Sequence, residues 1–411
     1  MKKIDYAVIG GGASGLILAN ALAKQLKSQD KTARILVFER LDRVGKKLSS
    51  TGNGQGNITN VEALQMEYFT FSGKQPLVKK ILSAFDPQSL REYFLELGVL
   101  LCADERGRVY PASRQASALT DALRFALAEQ GVELCLGAKV TRLQKSSGDF
   151  KITVETQSGE QEYTARKVAL CTGGKAAKNF GTDGSAYKLA QGLGHTLTAL
   201  YPSLVQLKTD TVHIKSLKGI RVAGGKLTAY TPTASPIFQG DIIFTDYGIS
   251  GDAVFRASAY VADQIESGKV SVSIDFLPEI SEDEIIEILA NKQATFPALE
   301  KSELLFGVVN NQVGRAIFKR ANGDLQKAAG LVKNFSLQVT GSLGFDYAQV
   351  TKGGIDLNEV TDCLESRLVS GLYFAGEGLD VDGPCGGFNL QWAYSSARVV
   401  ALEMLKDRGQ V

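Results

Sequence analysis

The segment from Lys3 to Arg40 constrains this chain more than any other. Ile4 to Ile9 is a short β-rich run, and Gly10-Gly11-Gly12-Ala13-Ser14-Gly15 follows at once. Leu16 to Lys27 is rich in Leu and Ala, and Arg34 to Phe38 is a second apolar run that ends on Glu39. Strand, glycine turn, helix, strand and acid in that order form a βαβ unit with a G-x-G-x-x-G turn. Gly10 permits the tight turn, Gly12 lets the backbone approach a pyrophosphate, and Gly15 lets the helix pack close to the sheet. The helix start, from Ala13 and Ser14 onward, offers free N–H groups and roughly half a positive charge to phosphates. Glu39 can accept hydrogen bonds from a ribose. The unit predicts dinucleotide binding and leaves FAD and NAD(P) open.

At 411 residues the chain exceeds one ordinary core, so two or three domains are expected. A net charge of +2 carries no nucleic-acid or membrane signature. No apolar run is long enough to span a bilayer. Asp5 and three successive glycines interrupt the apolar stretch after Met1-Lys2-Lys3, so a signal peptide is not expected. Five scattered cysteines without a C-x-x-C pair predict a reducing, cytoplasmic setting and exclude a dithiol reductase or zinc site. With only His195 and His213, no metal site is expected, and both read as structural or exposed.

After Glu39 and Arg40, Lys46 and Lys47 suit a phosphate, and Leu48 leads into a Gly/Asn/Ser stretch from Ser49 to Asn60. That stretch, with Gly54 and Asn57 in it, reads as a loop able to wrap a polar ligand with backbone N–H groups. Helices are predicted over 76–100, broken near Pro87, and over 117–130. Strands are predicted at 132–136 and at 139–143, which includes Val140, with a hairpin around Ser158-Gly159. Lys167 to Cys171 is a buried-type strand ending in Thr172-Gly173-Gly174, and a helix capped from Asp183-Gly184-Ser185 runs through Gly192. From Thr196 the grammar changes to short β-rich runs, which predict antiparallel strands or a small barrel. Ser281 to Glu284 reads as a capping box opening a helical stretch to about Lys333. The tail is the second informative segment. Gly371 to Phe374 is a strand reaching Gly376-Glu377, Asp380 to Gly387 is a glycine-rich turn, and a helix follows Phe388 and Asn389. Glycine turns into helices at both ends predict a discontinuous α/β domain with one ligand site, and FAD rather than NAD as its cofactor.

These segments together resemble the bacterial BaiN-like flavoprotein family, which includes aminoacetone oxidase and lies among the two-dinucleotide-binding-domain flavoproteins. The resemblance rests on Gly45 to Leu48 with Asn57 to Asn60, Leu170 to Gly174, Phe244 to Gly251, Val350 to Gly354 and Gly371 to Ser396. It implies a Rossmann-like FAD-binding domain (1–195 and 351–411), an inserted β-barrel substrate domain (196–276 and 334–350) and a helical subdomain (277–333). It implies FAD contacts from Gly10, Gly12, Ser14, Gly15, Glu39, Arg40, Lys47, Leu48, Val140, Thr172, Gly173, Gly376, Glu377 and Asn389. Many members carry Ser-Gly-x-Gly-Arg-Cys-Asn where this chain has Thr51 to Asn57, so an Arg and a Cys are replaced by Gln55 and Gly56. Three functions compete. One is oxidation of a small amine such as aminoacetone, with molecular oxygen as acceptor. The second is an NAD(P)H-fed FAD reductase of an enone or steroid-like substrate. The third is a flavoprotein that binds nucleic acid, for which no basic tract is present. The first is the favoured expectation, with a small-molecule substrate and neither nucleic acid nor membrane as partner. No acid–base residue stands out: Tyr247, Arg114, Lys352 and Trp392 fall in family-like segments but read as structural, and oligomeric state is unreadable.

Overall fold

The structure, a computed structural model, describes residues 2–185 and 187–406. Met1, Ala186 and the last five residues, which the expected domain and helix boundaries include, lie outside the described residues. The chain divides into two compact units, Met1–Tyr201 with Val350–Val411, and Pro202–Gln349.

The first unit is built on a seven-stranded sheet. Strands Glu133–Cys135, Ile35–Phe38, Lys2–Ile9 and Gly159–Leu170 lie side by side in parallel. Gly159–Leu170 serves two partners on its other edge. Its first half pairs antiparallel with Asp149–Thr156, and its last three residues pair parallel with Leu372–Phe374. The sequence pattern reads this segment as two strands. The structure makes it one, because Arg166 continues the extended backbone between the two partners. Lys139–Ser146 completes the sheet beside Asp149–Thr156. Ile35–Phe38 is buried along its whole length, as expected of a parallel strand covered on both faces. Helices Ala13–Ser28 and Phe388–Met404, from opposite ends of the chain, join the same core. The glycine-rich stretch after Lys46–Ser49 runs as turns to Thr59–Asn60, which pairs with Arg108–Pro111 in a small separate sheet.

Residues 196–201 go with this unit and do not open the barrel. Thr198 donates its N–H to the Gly354 carbonyl at 2.9 Å, and Leu197 bridges Ile355. The helix expected from Asp183 runs Tyr187–Gln191.

The second unit is a closed six-stranded barrel in the order Leu207–Thr209, Gly248–Ser250, Ile237–Phe244, Arg221–Tyr230, Ser271–Asp275, Phe335–Ser342. Phe335, Leu337 and Val339 alternate inward along the last strand, the period-two pattern of a one-sided sheet. Helices Glu282–Thr295, Asn311–Arg320 and Leu325–Lys333 follow the Ser281 capping box, in which Ser281 and Glu284 each bond the other's backbone N–H. Their apolar faces (Ile285, Leu289, Ile317 and Val332) join the same core as Val272, Ile274 and Phe335 of the barrel.

Candidate functional site

The turn between Ile9 and Ala13 is held from both sides. Gly10 donates its N–H to the Phe38 carbonyl at 2.8 Å and has φ +108°. A side chain at Gly10 would stand 2.4 Å from the Cys171 carbonyl, so only glycine fits. Helix Ala13–Ser28 starts at Gly12, with no side chain capping it. The first N–H groups of a helix lack intrahelical partners, and a Cβ on Gly12 would meet nothing within 4 Å. An uncapped, positive helix end thus faces open space. Ser14 lies against Gly376, where a Cβ would come 2.7 Å from its hydroxyl. The two ends of the chain meet at this point.

Glu39 is only 9% exposed, and its two carboxylate oxygens accept the N–H groups of Gly11 at 2.8 Å and Leu41 at 2.9 Å. Burial pushes its pKa up, and those backbone bonds pull part of the way back. Glu39 therefore staples the glycine turn, a role the sequence does not reveal. Arg40 turns to Asp183 at 2.8 Å. Despite burial, hydrogen bonds from Ser185 and Arg40 hold the Asp183 carboxyl well below the usual range. Lys46 pairs with Asp42 at 3.3 Å, whereas Lys47 pairs with Glu377 at 2.6 Å. Leu48 is buried in the core behind them. Val140 is half-buried at a bulge in its strand, two residues after Ala138, whose N–H bonds the Glu39 carbonyl at 2.8 Å.

At the C-terminal edge of the sheet, Thr172, Gly173 and Gly174 follow the long strand. A Cβ on Gly174 would stand 2.5 Å from the Thr351 hydroxyl and 2.8 Å from the Glu377 carboxylate, so the three are closely packed. Thr351 donates its N–H to Glu377 at 3.1 Å. Asp380 is fully buried: one oxygen accepts Thr70 at 3.0 Å and both the N–H and the hydroxyl of Ser72 at 2.6 Å. Its other oxygen has no partner among the described residues, nor has the amide oxygen of Asn57. That Asn57 oxygen lies 2.9 Å from where a Cβ on Gly387 would be. Buried acceptors without donors are costly. Asn389 clamps the turn, donating to the Gly383 carbonyl at 2.6 Å and accepting the Gly383 N–H at 2.8 Å. The Phe388 ring meets Tyr68 edge-on. Gly54, at φ +82°, has open space where a side chain would be.

A model of the HI0933-like protein Rossmann domain matches residues 4–403. The chain belongs to this family. A 3-dehydro-bile acid delta(4,6)-reductase of Clostridium scindens is 34% identical, with 95% of this chain and 96% of that protein covered. A ribosomal RNA dihydrouridine synthase of Haemophilus influenzae is 28% identical over 98% of this chain and 99% of its own. Among solved structures, 3-ketosteroid delta1-dehydrogenase from Sterolibacterium denitrificans superposes with a TM-score of 0.53 at 14% identity, covering 98% of this chain and 99% of the other. That likeness speaks to the fold. The HI0933-like chain is an FAD-dependent oxidoreductase, and FAD is its cofactor. Its residues fit the group: a Cβ on Gly12 would meet nothing within 4 Å, and Asp380 and Asn57 each hold a buried acceptor without a donor among the described residues.

Two further features of this HI0933-like chain escaped the sequence. The Tyr187 hydroxyl is buried, has no partner among the described residues, and lines a small cavity with Thr172, Phe374 and Gly378. Spacing alone does not place Tyr187 beside Thr172. The second is a Ser–His–Glu array: Ser366 Oγ lies 2.7 Å from His195 Nε2, and His195 Nδ1 lies 3.0 Å from Glu359. Ser366 Oγ already accepts the N–H groups of Leu368 and Val369, at 3.0 and 2.8 Å. With both lone pairs taken, it donates to Nε2, so the imidazole carries its proton on Nδ1 and gives it to Glu359. Ser366 and His195 are buried. The array resembles a nucleophilic triad in outline and is a structural clasp in fact, with a hydroxyl committed to its own turn. Among the described residues no His/Cys/Asp/Glu group is placed to hold a metal, and no helix is long and apolar enough to cross a membrane.

Proposed function

We propose that this protein is a reductase of carbon–carbon double bonds conjugated to a carbonyl, fed by a reduced nicotinamide through FAD. One observation carries this over amine oxidation: the chain is 34% identical, over 95% of its length, to a 3-dehydro-bile acid delta(4,6)-reductase. The names of the relatives agree in bond class. A delta(4,6)-reductase of a 3-dehydro bile acid saturates a double bond in conjugation with a ketone, and forming dihydrouridine saturates the ring double bond beside a uracil carbonyl.

When bound, FAD supplies the two electrons and the hydrogen that add to the carbon β to the carbonyl. The chain's contribution is placement. The helix start at Gly12 and the pair Lys47–Glu377 would hold the cofactor's polar portion, Glu39 would accept the ribose hydroxyls, and the turn ahead of Phe388 would offer a positive helix end to the flavin. Gly10, Ser14, Gly15, Thr172, Gly173, Gly174 and Gly376 would line the cofactor's path.

Oxidation of aminoacetone with release of hydrogen peroxide is the second reading. Its support is the lack of a C-x-x-C pair or a second glycine fingerprint to bring electrons in. The test is anaerobic incubation of FAD-loaded protein with NADH or NADPH and a ring ketone conjugated to a double bond, followed by mass analysis. A product gaining two hydrogens is expected. Peroxide from aminoacetone in air, with no enone product, would overturn the proposal, and uridine saturation in ribosomal RNA as the sole activity would replace its substrate.

A further inference from the structure

The tail helix Phe388–Met404 grips Gly376 by both of its backbone polar groups. The Gly376 N–H donates to the Ser396 hydroxyl at 2.9 Å, and the Gly376 carbonyl accepts the Trp392 indole N–H at 3.1 Å. Trp392 and Ser396 are four residues apart in the sequence, so one face of the helix carries both. Ser396 donates its own proton to the Trp392 carbonyl at 2.7 Å, which leaves its oxygen turned toward Gly376. Trp392 is 1% exposed and Ser396 is fully buried, so water replaces neither bond. On its other side Gly376 abuts Ser14, at the uncapped start of helix Ala13–Ser28. A Cβ on Gly376 would stand 2.7 Å from the Ser14 hydroxyl, and its φ is +83°. Glu377 follows directly, with its carboxylate tied to Lys47 and to the Thr351 N–H.

We infer that Trp392 and Ser396 are positioning residues of the cofactor site, which act through Gly376. The Gly376 carbonyl also accepts the Leu379 N–H at 3.2 Å, so its N–H and both of its lone pairs are committed within the chain. Gly376 therefore serves FAD by where it stands and by having no side chain, and not by a hydrogen bond. Where it stands is set by the tail helix. Loosening either bond frees the turn that carries Glu377 from its place beside Ser14. This role depends on FAD as the cofactor, whatever the substrate. A side chain that merely fills the core would support the fold and leave FAD affinity alone. Ser395 is such a side chain. It is fully buried on the same helix, donates to the Phe85 carbonyl at 2.6 Å, accepts the Gln391 amide at 2.9 Å and makes no bond to Gly376.

The test is FAD titration of the full-length apoprotein, read by quenching of flavin fluorescence. Hydrogen exchange of the peptide that contains Gly376 and urea unfolding followed by circular dichroism accompany it. Ser396→Ala should weaken FAD about three- to tenfold, the loss of one neutral hydrogen bond, and should speed exchange at Gly376. Ser396→Thr keeps the hydroxyl and should bind FAD more tightly than Ser396→Ala. Trp392→Phe removes the indole N–H and should weaken FAD to a similar degree. Ser395→Ala should lower the urea midpoint yet leave FAD affinity and Gly376 exchange at their wild-type values. If Ser396→Ala does not fold, Trp392→Phe set against Ser395→Ala carries the test. The inference is overturned if Trp392→Phe or a folded Ser396→Ala binds FAD as tightly as the wild type, or if Ser395→Ala weakens FAD as much as they do.

Discussion

Two glycines three residues apart should behave oppositely when each is changed to alanine. A Cβ at position 15 would lie 1.9 Å from the Gly10 carbonyl oxygen, against an ordinary contact of 3.4 Å or more. Backbone must therefore move by about 1.5 Å, the difference between those distances. Gly10 resists, because its N–H holds the Phe38 carbonyl and its φ is already +108°. Overpacking of this kind costs about 1–3 kcal/mol, and losing the strand-end hydrogen bond adds about 0.5–1.5 kcal/mol. Gly15→Ala should thus destabilise the first unit by about 2–4 kcal/mol. At Gly12 the added methyl group meets nothing, and φ is −84°, which alanine adopts freely. Gly12→Ala should leave stability within about 0.5 kcal/mol of wild type. The same methyl would occupy the space through which a phosphate reaches the helix N–H groups, and displacing one such bond should weaken FAD about ten- to a hundredfold. Trp392, the single tryptophan, is buried in the first unit, so urea unfolding followed by its fluorescence reports that unit. Quenching of free FAD fluorescence reports affinity. Wild-type FAD affinity in Gly12→Ala would refute the placement of the pyrophosphate, and a wild-type urea midpoint in Gly15→Ala would refute the packing argument.

Glu39→Ala removes the acceptor of both Gly11 and Leu41 N–H groups, so it should cost apoprotein stability, about 1–3 kcal/mol per orphaned donor, as well as FAD affinity; FAD binding unchanged in a folded variant would show that no ribose reaches this acid. His195 is held neutral mainly by burial, which lowers its pKa against the pull of Glu359. The unfolded chain binds a proton below about pH 6.5 that the folded state refuses. Stability should therefore fall as pH drops below that value, and His195→Gln should flatten that part of the urea-midpoint profile; a slope equal to wild type would contradict the neutral clasp. Burial pushes the Cys171 thiol up to about 12, so an alkylating reagent at neutral pH should label exposed Cys102 and spare Cys171 until the protein unfolds. Labelling of Cys171 in folded protein would show that the strand end opens.

Much of the architecture was legible because its signals are local. The glycine turn at Gly10, the hairpin at Ser158-Gly159, the capping box at Ser281 and the tail helix each depend on a few neighbouring residues. The family and its cofactor were legible because segments from both ends of the chain carry them jointly. What escaped depends on distant pairing. Gly159–Leu170 changes partner halfway, which only the positions of Asp149–Thr156 and Leu372–Phe374 reveal. Residues 196–201 look like barrel strand but bind Gly354 and Ile355 of the first unit. Glu39 reads as a ribose acceptor, and its bonds to Gly11 and Leu41 appear only once the turn has closed. Lys352 reads as an ordinary lysine until Phe69 is placed over it. Substrate was the least legible property, since amine and enone both suit a flavin and differ in the charge they require around them.

In the proposed reaction, electrons enter from a nicotinamide and leave to a conjugated double bond. The direct measurement is the visible absorbance of the FAD-loaded protein in the absence of oxygen. NADH or NADPH should bleach the flavin bands, and a conjugated enone added afterwards should restore them. Bleaching by aminoacetone alone, with no response to either nicotinamide, would rule out a nicotinamide-fed reductase.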